Sequence, residues 1–451
     1  RHASLQSRGD VGMKLDLACP DGPLFEPVGV NVSELEPNES VHLELMFCDD
    51  AGVDWLSRAA FVADAAATLS TDTNPAITGD YTGVDPHGLF WSARPRDHTT
   101  LVQSVLIGEP RTLMPLIEPL GAYTWALTVR TPSETIENTP IVRRRLMPSI
   151  KTVRPPEPLQ GLVFEPDQPN GASVLVVGGS EGGLFPARAA LLAASGFRTF
   201  ALAYFQHPGC PEIGRNLPLE YFRDALTWLK SRGGPVGVIG VSRGSEAMQL
   251  TALEWPNLVD ALVLWVPSHI VHRGLDLVGG ADFRKEADAM WSLGASPIPG
   301  LGFQAQDIAA TAQRDRDFPT ASGRRYAEEF SRAWAAEGMA FRIPLEHYSG
   351  PVLAIGGAAD ALWPSALGAQ QIAAAKDTKT GPRAVEIYAN AGHLIGTPNE
   401  PRPFPWLMHW SGGYMGIDNG FCAYGGTREG AALAARASWT RQSAFLLSHL
   451  T

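Results

Sequence analysis

Two kinds of hydrophobic pattern divide the chain. Val41, Leu43, Leu45 and Phe47 alternate with His42, Glu44 and Met46, and Tyr123, Trp125, Leu127 and Val129 repeat the same spacing. A two-residue period sends successive side chains to opposite faces, which marks a half-buried strand. Asp49-Asp50-Ala51-Gly52 follows the first run as a turn signal. Short strands between Asp, Asn, Gly and Pro turns, with no helical stretch of any length, predict an all-β sandwich over residues 13–140.

Beyond it the pattern changes. Pro-rich stretches at 131–140 and 154–158 flank Arg143-Arg144-Arg145, which reads as a linker and the entry to a second domain, 141–451. There, short fully apolar strands are predicted at Val174–Val177, Phe197–Phe205, Val236–Val241, Ala261–Val266, Val352–Ile355 and Ala384–Tyr388. Helices fall between them. One runs from Pro186 to Ser195, with Gly196 past its end; another follows Pro218, with Leu219, Phe222, Leu226 and Leu229 on one face. Pro at the start and Gly after the end is the ordinary helix punctuation. Repeated βαβ units with continuously apolar strands imply a parallel sheet covered by helices on both faces. Residues 270–345 are too long for a simple connection and carry helical signals around Tyr326–Ala336, so an inserted lid is expected there.

Composition narrows the class. Over 451 residues, 45% are apolar and 18% charged, which suits a globular chain with a sizeable core, and the length suits two domains. The net charge of −11 argues against a nucleic-acid partner, which needs a basic footprint. No run is long enough for a membrane span, and residues 1–12 lack the apolar core of a secretory signal and read as a loose tail. Cys19, Cys48, Cys210 and Cys422 include no C-x-x-C pair, so no disulfide framework, metal site or cofactor is expected, and a cytoplasmic setting is. The sequons at Asn31 and Asn38 are taken as chance matches.

The sharpest chemical signal is Gly240-Val241-Ser242-Arg243-Gly244, between the strand Val236–Val241 and a predicted helix from Ser245 to Leu253. A G-x-S-x-G in that setting is a nucleophile elbow: its glycines admit a strained turn that exposes the Ser hydroxyl. An ordinary βα turn with a capping Ser is the plainer alternative. A serine is a weak nucleophile without a base, and in this chain order an acid and then a His must follow. Asp360 comes just after a strand and Gly356-Gly357-Ala358, and His393 lies in Asn390-Ala391-Gly392-His393-Leu394, also at a strand end. Asp360 could instead cap the helix before Pro364, while His347 and His409 lack the glycine-flanked setting of His393. The oxyanion donors are expected to be the amides of Arg243 and of Gly182, in the loop Gly178-Gly179-Ser180-Glu181-Gly182-Gly183. Ser180 and Glu181 of that loop are candidate substrate-binding residues. Its spacing fits no phosphate-binding loop. The expectation is an α/β-hydrolase-type acyl-transfer enzyme.

Several segments together resemble the acyl-CoA thioesterase and bile acid-CoA:amino acid N-acyltransferase family. They are Gly79 to Pro86, Gly88-Leu89-Phe90-Trp91-Ser92, Gly178 to Gly183, Gly240 to Gly244, Asp360 with Leu362-Trp363-Pro364-Ser365, Gly392 to Gly396, Gly425-Gly426-Thr427 and Ser438-Trp439. The resemblance spans nearly the whole chain. It implies an immunoglobulin-like first domain, a catalytic triad of Ser242, Asp360 and His393, and a small-molecule acyl-CoA-like thioester as substrate. Amino-acid-conjugating members carry Cys at the elbow, so Ser242 favours hydrolysis over transfer to an amine or alcohol. One departure is Glu181, where animal members tend to have Gly; dienelactone hydrolases keep a Glu at the similar point. A non-catalytic binding protein is the third reading, opposed by the intact Ser, Asp, His order.

Overall fold

The computed structural model describes residues 12–48, 54–96, 120–274, 289–302, 327–377, 380–399, 407–410 and 420–451. Two compact units result, with the division in the main chain between Arg144 and Arg145.

The first unit is built on two sheets. One is three-stranded, ordered Lys14–Ala18, Gly29–Ser33, Leu69–Ser70. The other is seven-stranded; its long members Thr135–Arg144, Ala122–Arg130, Ser40–Cys48 and Asp54–Val62 lie side by side and antiparallel. The alternation seen in the sequence fixes the register: Leu43 pairs with Val129 and Leu45 with Leu127, so every second side chain enters the interior. Val30, Val32 and Leu69 of the small sheet share one core with Leu43, Leu45, Trp125 and Leu127 of the large one. The 79–92 segment packs into that core through Tyr81, Leu89 and Phe90, and Trp91 Nε1 donates to Asp85 Oδ2 at 2.9 Å. Gly88 is required there, since a Cβ would fall 2.1 Å from the Tyr81 ring. Asn399 also folds with this unit, its Oδ1 2.6 Å from His87 Nδ1 and its Nδ2 donating to the Leu24 carbonyl at 2.8 Å.

Arg143 and Arg144, which read as linker, instead end a strand, Thr135–Arg144. Arg143 is fully buried at its end, where its guanidinium donates to the carbonyls of Cys19, Pro23 and Glu26. A side chain with five donors can replace its water shell with carbonyls, so a buried Arg need not mark a surface segment.

The second unit holds an eight-stranded sheet. Its strands are β1 (Ile150–Val153), β2 (Gln160–Pro166), β3 (Ser173–Val177), β4 (Arg198–Ala203), β5 (Val236–Val241), β6 (Ala261–Trp265), β7 (Val352–Gly357) and β8 (Arg383–Tyr388). They are ordered β1-β2-β4-β3-β5-β6-β7-β8, with β1, β2 and β4 paired antiparallel and every later pair parallel. This is the α/β-hydrolase sheet. Strands β3 and β6 are buried at every position, as fully apolar runs covered on both faces must be. The helices are α1 (Ala187–Ala193), α2 (Leu219–Ser231), α3 (Arg243–Glu254), α4 (Ala327–Glu337), α5 (Ser365–Ala374) and α6 (Arg428–Leu450). Thr427 caps α6 by accepting the Gly430 amide at 2.9 Å, one of the donors a helix start leaves unpaired. Of the segment 270–345, residues 275–288 and 303–326 lie outside the described residues; the rest includes short strands at Trp291–Leu293 and Ser296–Pro297 as well as α4. Among the described residues no helix is long and apolar enough to cross a membrane.

Candidate active site

The turn between β5 and α3 places Ser242 at φ 52° and ψ −118°, a conformation a residue with a Cβ rarely adopts. The helix begins at Arg243, two residues before the sequence signal placed it, because the elbow passes straight from strand to helix. Close packing explains the flanking glycines. A Cβ at Gly240 would stand 2.6 Å from the Gly244 carbonyl oxygen, and one at Gly244 would stand 2.2 Å from that of Gly178. The Ser242 amide donates to the Trp265 carbonyl at 2.9 Å and ties the turn to β6.

Two more loops at the carboxyl ends of strands meet Ser242. His393 Nε2 lies 3.0 Å from Ser242 Oγ, and His393 Nδ1 lies 2.8 Å from Asp360 Oδ2. The second carboxylate oxygen of Asp360 accepts the amides of Leu362 and Trp363 at 2.9 and 3.2 Å. Asp360 therefore meets both the imidazole and the turn before α5 but does not cap that helix, whose N-cap position is Pro364. All three residues are buried, with exposures of 4% for Ser242, 6% for His393 and 8% for Asp360, which shields their mutual polarisation from bulk water.

The 424–426 segment binds the Asp360 and His393 loops to each other. The His393 amide donates to the Tyr424 carbonyl at 2.8 Å, the Tyr424 ring stacks on the imidazole, and bridges join Asp360 to Gly425 and Ala391 to Gly426. Gly425, at φ 76°, has no room for a side chain: a Cβ would fall 1.9 Å from the Ala359 oxygen. On the other side the edge of Trp363 meets the His393 ring, with centroids 5.6 Å apart. Neither Tyr424 nor Trp363 carries a pattern that singles it out as a support for the site. The resemblance pointed only to the Leu362–Ser365 and Gly425–Thr427 segments.

The loop after β3 lies against Ser242 through Gly179. A Cβ there would be 2.9 Å from Ser242 Cβ and 2.6 Å from Glu181 Oε2. Gly182, at φ 61°, packs tightly: a Cβ there would fall 2.7 Å from Gln206 Cβ and 3.0 Å from the Phe205 ring, and the Gly183 amide is taken by the Phe205 carbonyl at 2.9 Å. Glu181 folds back on its own loop, where Oε1 accepts the Gly179 amide at 2.9 Å. Burial pushes the Glu181 carboxyl up, against the opposing pull of the Gly179 amide and the nearby His393. Ser180 is half-buried in the same loop. The Arg243 amide stands in the first turn of α3, where no helical carbonyl is available to it.

Sequence comparison agrees with the architecture over both units. Residues 25–154 match the acyl-CoA thioester hydrolase/BAAT N-terminal region and residues 217–451 match the BAAT/acyl-CoA thioester hydrolase C-terminal region. The chain is similar to acyl-coenzyme A thioesterase 5 of Mus musculus, 27% identical, with 94% of each chain covered. It is also similar to acyl-coenzyme A amino acid N-acyltransferase 1 of Mus musculus, 26% identical, covering 96% of this chain and 97% of that one. Mitochondrial acyl-coenzyme A thioesterase 2 of Homo sapiens is 31% identical over 53% of this chain and 49% of its own. With the C-terminal match alone spanning more than half its length, the chain belongs to the acyl-CoA thioester hydrolase/BAAT family.

Proposed function

We propose that the protein hydrolyses an acyl thioester of the acyl-CoA type through an acyl-enzyme on Ser242. The observation that carries this reading is the continuous contact from Ser242 Oγ to His393 at 3.0 Å and on to Asp360 at 2.8 Å, in a chain of this family. His393 Nε2 takes the hydroxyl proton as Oγ attacks the thioester carbonyl, while its Nδ1–H remains hydrogen-bonded to Asp360. The oxyanion meets the Arg243 amide at the positive end of α3, and a second amide from the 178–183 loop. The carbon–sulfur bond breaks, the thiolate takes the proton from His393, and a water activated by the same imidazole then cleaves the ester to the free acid.

Transfer to an amine or alcohol is the second reading, since it uses the same acyl-enzyme. One feature favours water: an oxygen ester on Ser242 is less reactive toward amines than a thioester on Cys. In the same reading the first unit is an immunoglobulin-like sandwich, residues 270–345 are an insertion in the catalytic domain, and the reduced thiols of Cys19 and Cys210 fit a cytoplasmic setting. Chromatography of the products from acyl-CoA at pH 8, with and without millimolar glycine, separates the two. Free acid as the main product in both supports hydrolysis; predominant conjugate overturns it.

A further inference from the structure

Behind the nucleophile lies a second polar cluster that the reaction above does not use. Glu246, one turn into α3 and 0% exposed, accepts four hydrogen bonds. They come from Arg243 Nη1 at 3.4 Å, the His272 amide at 3.1 Å, His272 Nδ1 at 2.8 Å and Trp291 Nε1 at 3.2 Å. Trp334 Nε1 on α4 donates to His272 Nε2 at 2.8 Å. An indole N–H can only donate, so Nε2 must accept and the His272 proton sits on Nδ1, facing Glu246. His272 is thereby held neutral, and the charges in the cluster are the carboxylate of Glu246 and the guanidinium of Arg243.

The cluster touches the reacting residues by two routes. Arg243 directly follows Ser242 and supplies the backbone amide assigned to the oxyanion. The His272 ring stacks on Trp363 with centroids 5.4 Å apart, and the Arg243 guanidinium lies 5.8 Å from the Trp363 ring centre. Trp363 in turn meets His393 at 5.6 Å, and its amide binds Asp360.

We infer that Glu246 is a positioning residue for the acyl transfer: it anchors the Arg243 side chain beside the nucleophile and cancels its positive charge within reach of His393. The inference rests on the reading of Ser242 and His393 as nucleophile and base. Removing the carboxylate's charge leaves a buried guanidinium uncompensated near an imidazole that must accept a proton, so that imidazole becomes harder to protonate. Other titratable groups facing the cluster are Tyr204, His269, Arg342 and Glu181, with Asp360 on the far side of Trp363. Glu246 is the carboxylate in ion-pair contact with the Arg243 guanidinium, at 3.4 Å. Burial works against the Glu246 carboxylate, but Arg243 and His272 outweigh it and hold the carboxyl below its ordinary range.

The test is the acidic limb of the kcat/KM profile. Across a separation on the order of 10 Å in a partly shielded interior, Glu246→Gln should move that limb to lower pH by about half a unit or more. It should also lower kcat several-fold with KM nearly unchanged. Glu246→Asp, which keeps the charge, should leave the limb in place. The double variant Arg243→Met with Glu246→Gln removes both charges, leaves no lone buried ion to unfold the chain, and should return the limb to its wild-type position. A limb that stays fixed in Glu246→Gln, or stays shifted in the double variant, overturns the inference. If Glu246→Gln does not fold, the double variant decides alone, because a limb displaced after both charges are gone contradicts it. Ser242→Ala run alongside keeps the two levels apart: its turning over at the wild-type rate takes down the reading of the site and this inference with it.

Discussion

Gly179→Ala is the most informative single methyl that can be added to this protein. The new Cβ would sit 2.6 Å from Glu181 Oε2, 2.9 Å from Ser242 Cβ and 3.3 Å from the Val241 carbonyl oxygen. Ordinary carbon–carbon contact lies at about 3.5–4.0 Å, so Ser242 or the 178–183 loop must move by roughly 0.6–1 Å. Glu181 can swing away, at the cost of its bond to the Gly179 amide. Ser242 cannot move as freely, because its φ of 52° and its amide bond to Trp265 fix it in the elbow. A displacement of about 1 Å at a reacting atom lowers the rate by on the order of 10²-fold, whereas overpacking a tight site costs ~1–3 kcal/mol of stability. Steady-state hydrolysis of acyl-CoA and a urea titration, run side by side, separate the two effects. Gly121→Ala, where a Cβ meets nothing within 4 Å, is the control. Turnover of Gly179→Ala within threefold of wild type would refute the placement of this loop against Ser242 as the reacting group.

Other perturbations probe separate parts of the account. Ser242→Ala should lower kcat by at least about three orders of magnitude while leaving the melting temperature close to wild type, as residues of one catalytic unit fail together; steady-state kinetics and calorimetry check both. Asp360→Asn should lower kcat by roughly 10⁴-fold through the wrong imidazole tautomer, read from the same assay. His269 tests the fold through pH: burial lowers its pKa to about 4, so the folded chain binds its proton less readily than the unfolded chain, whose value is near 6.5. Stability from its neutral form is thus present above pH 6.5 and lost as pH falls toward 4, by ~2 kcal/mol at pH 5. Urea midpoints at pH 7 and pH 5 should show that loss in wild type and much less of it in His269→Gln.

The legible parts of the fold were those with a local signature. Continuous apolar runs such as Val236–Val241, bounded by glycines, marked the strands of the parallel sheet, and the loops at their carboxyl ends carried Ser242, Asp360 and His393. Arg143-Arg144-Arg145 misled because three charges between Pro-rich stretches look like linker, whereas Arg143 is buried by carbonyls that no local pattern announces. The 79–92 segment has no period to read, since Tyr81, Leu89 and Phe90 reach the core from turns; only the family resemblance drew notice to it. The close approach of Gly179 to Ser242 was likewise not announced by the loop's glycine spacing, since it arises from the packing of two separate strand ends. Glu246, His272 and Trp334 escaped notice for a different reason. They join three segments, and a buried polar cluster leaves no trace in the hydrophobic pattern of any one of them.

The central claim, an acyl-enzyme on Ser242 that is resolved by water, is tested most directly by intact-mass spectrometry of the protein mixed rapidly with a panel of acyl-CoA thioesters, followed by peptide mapping. The account predicts a transient adduct with the mass of the acyl group, mapped to Ser242, decaying to free acid and absent from Ser242→Ala and His393→Ala. An adduct on another residue, or full turnover in Ser242→Ala, would contradict it.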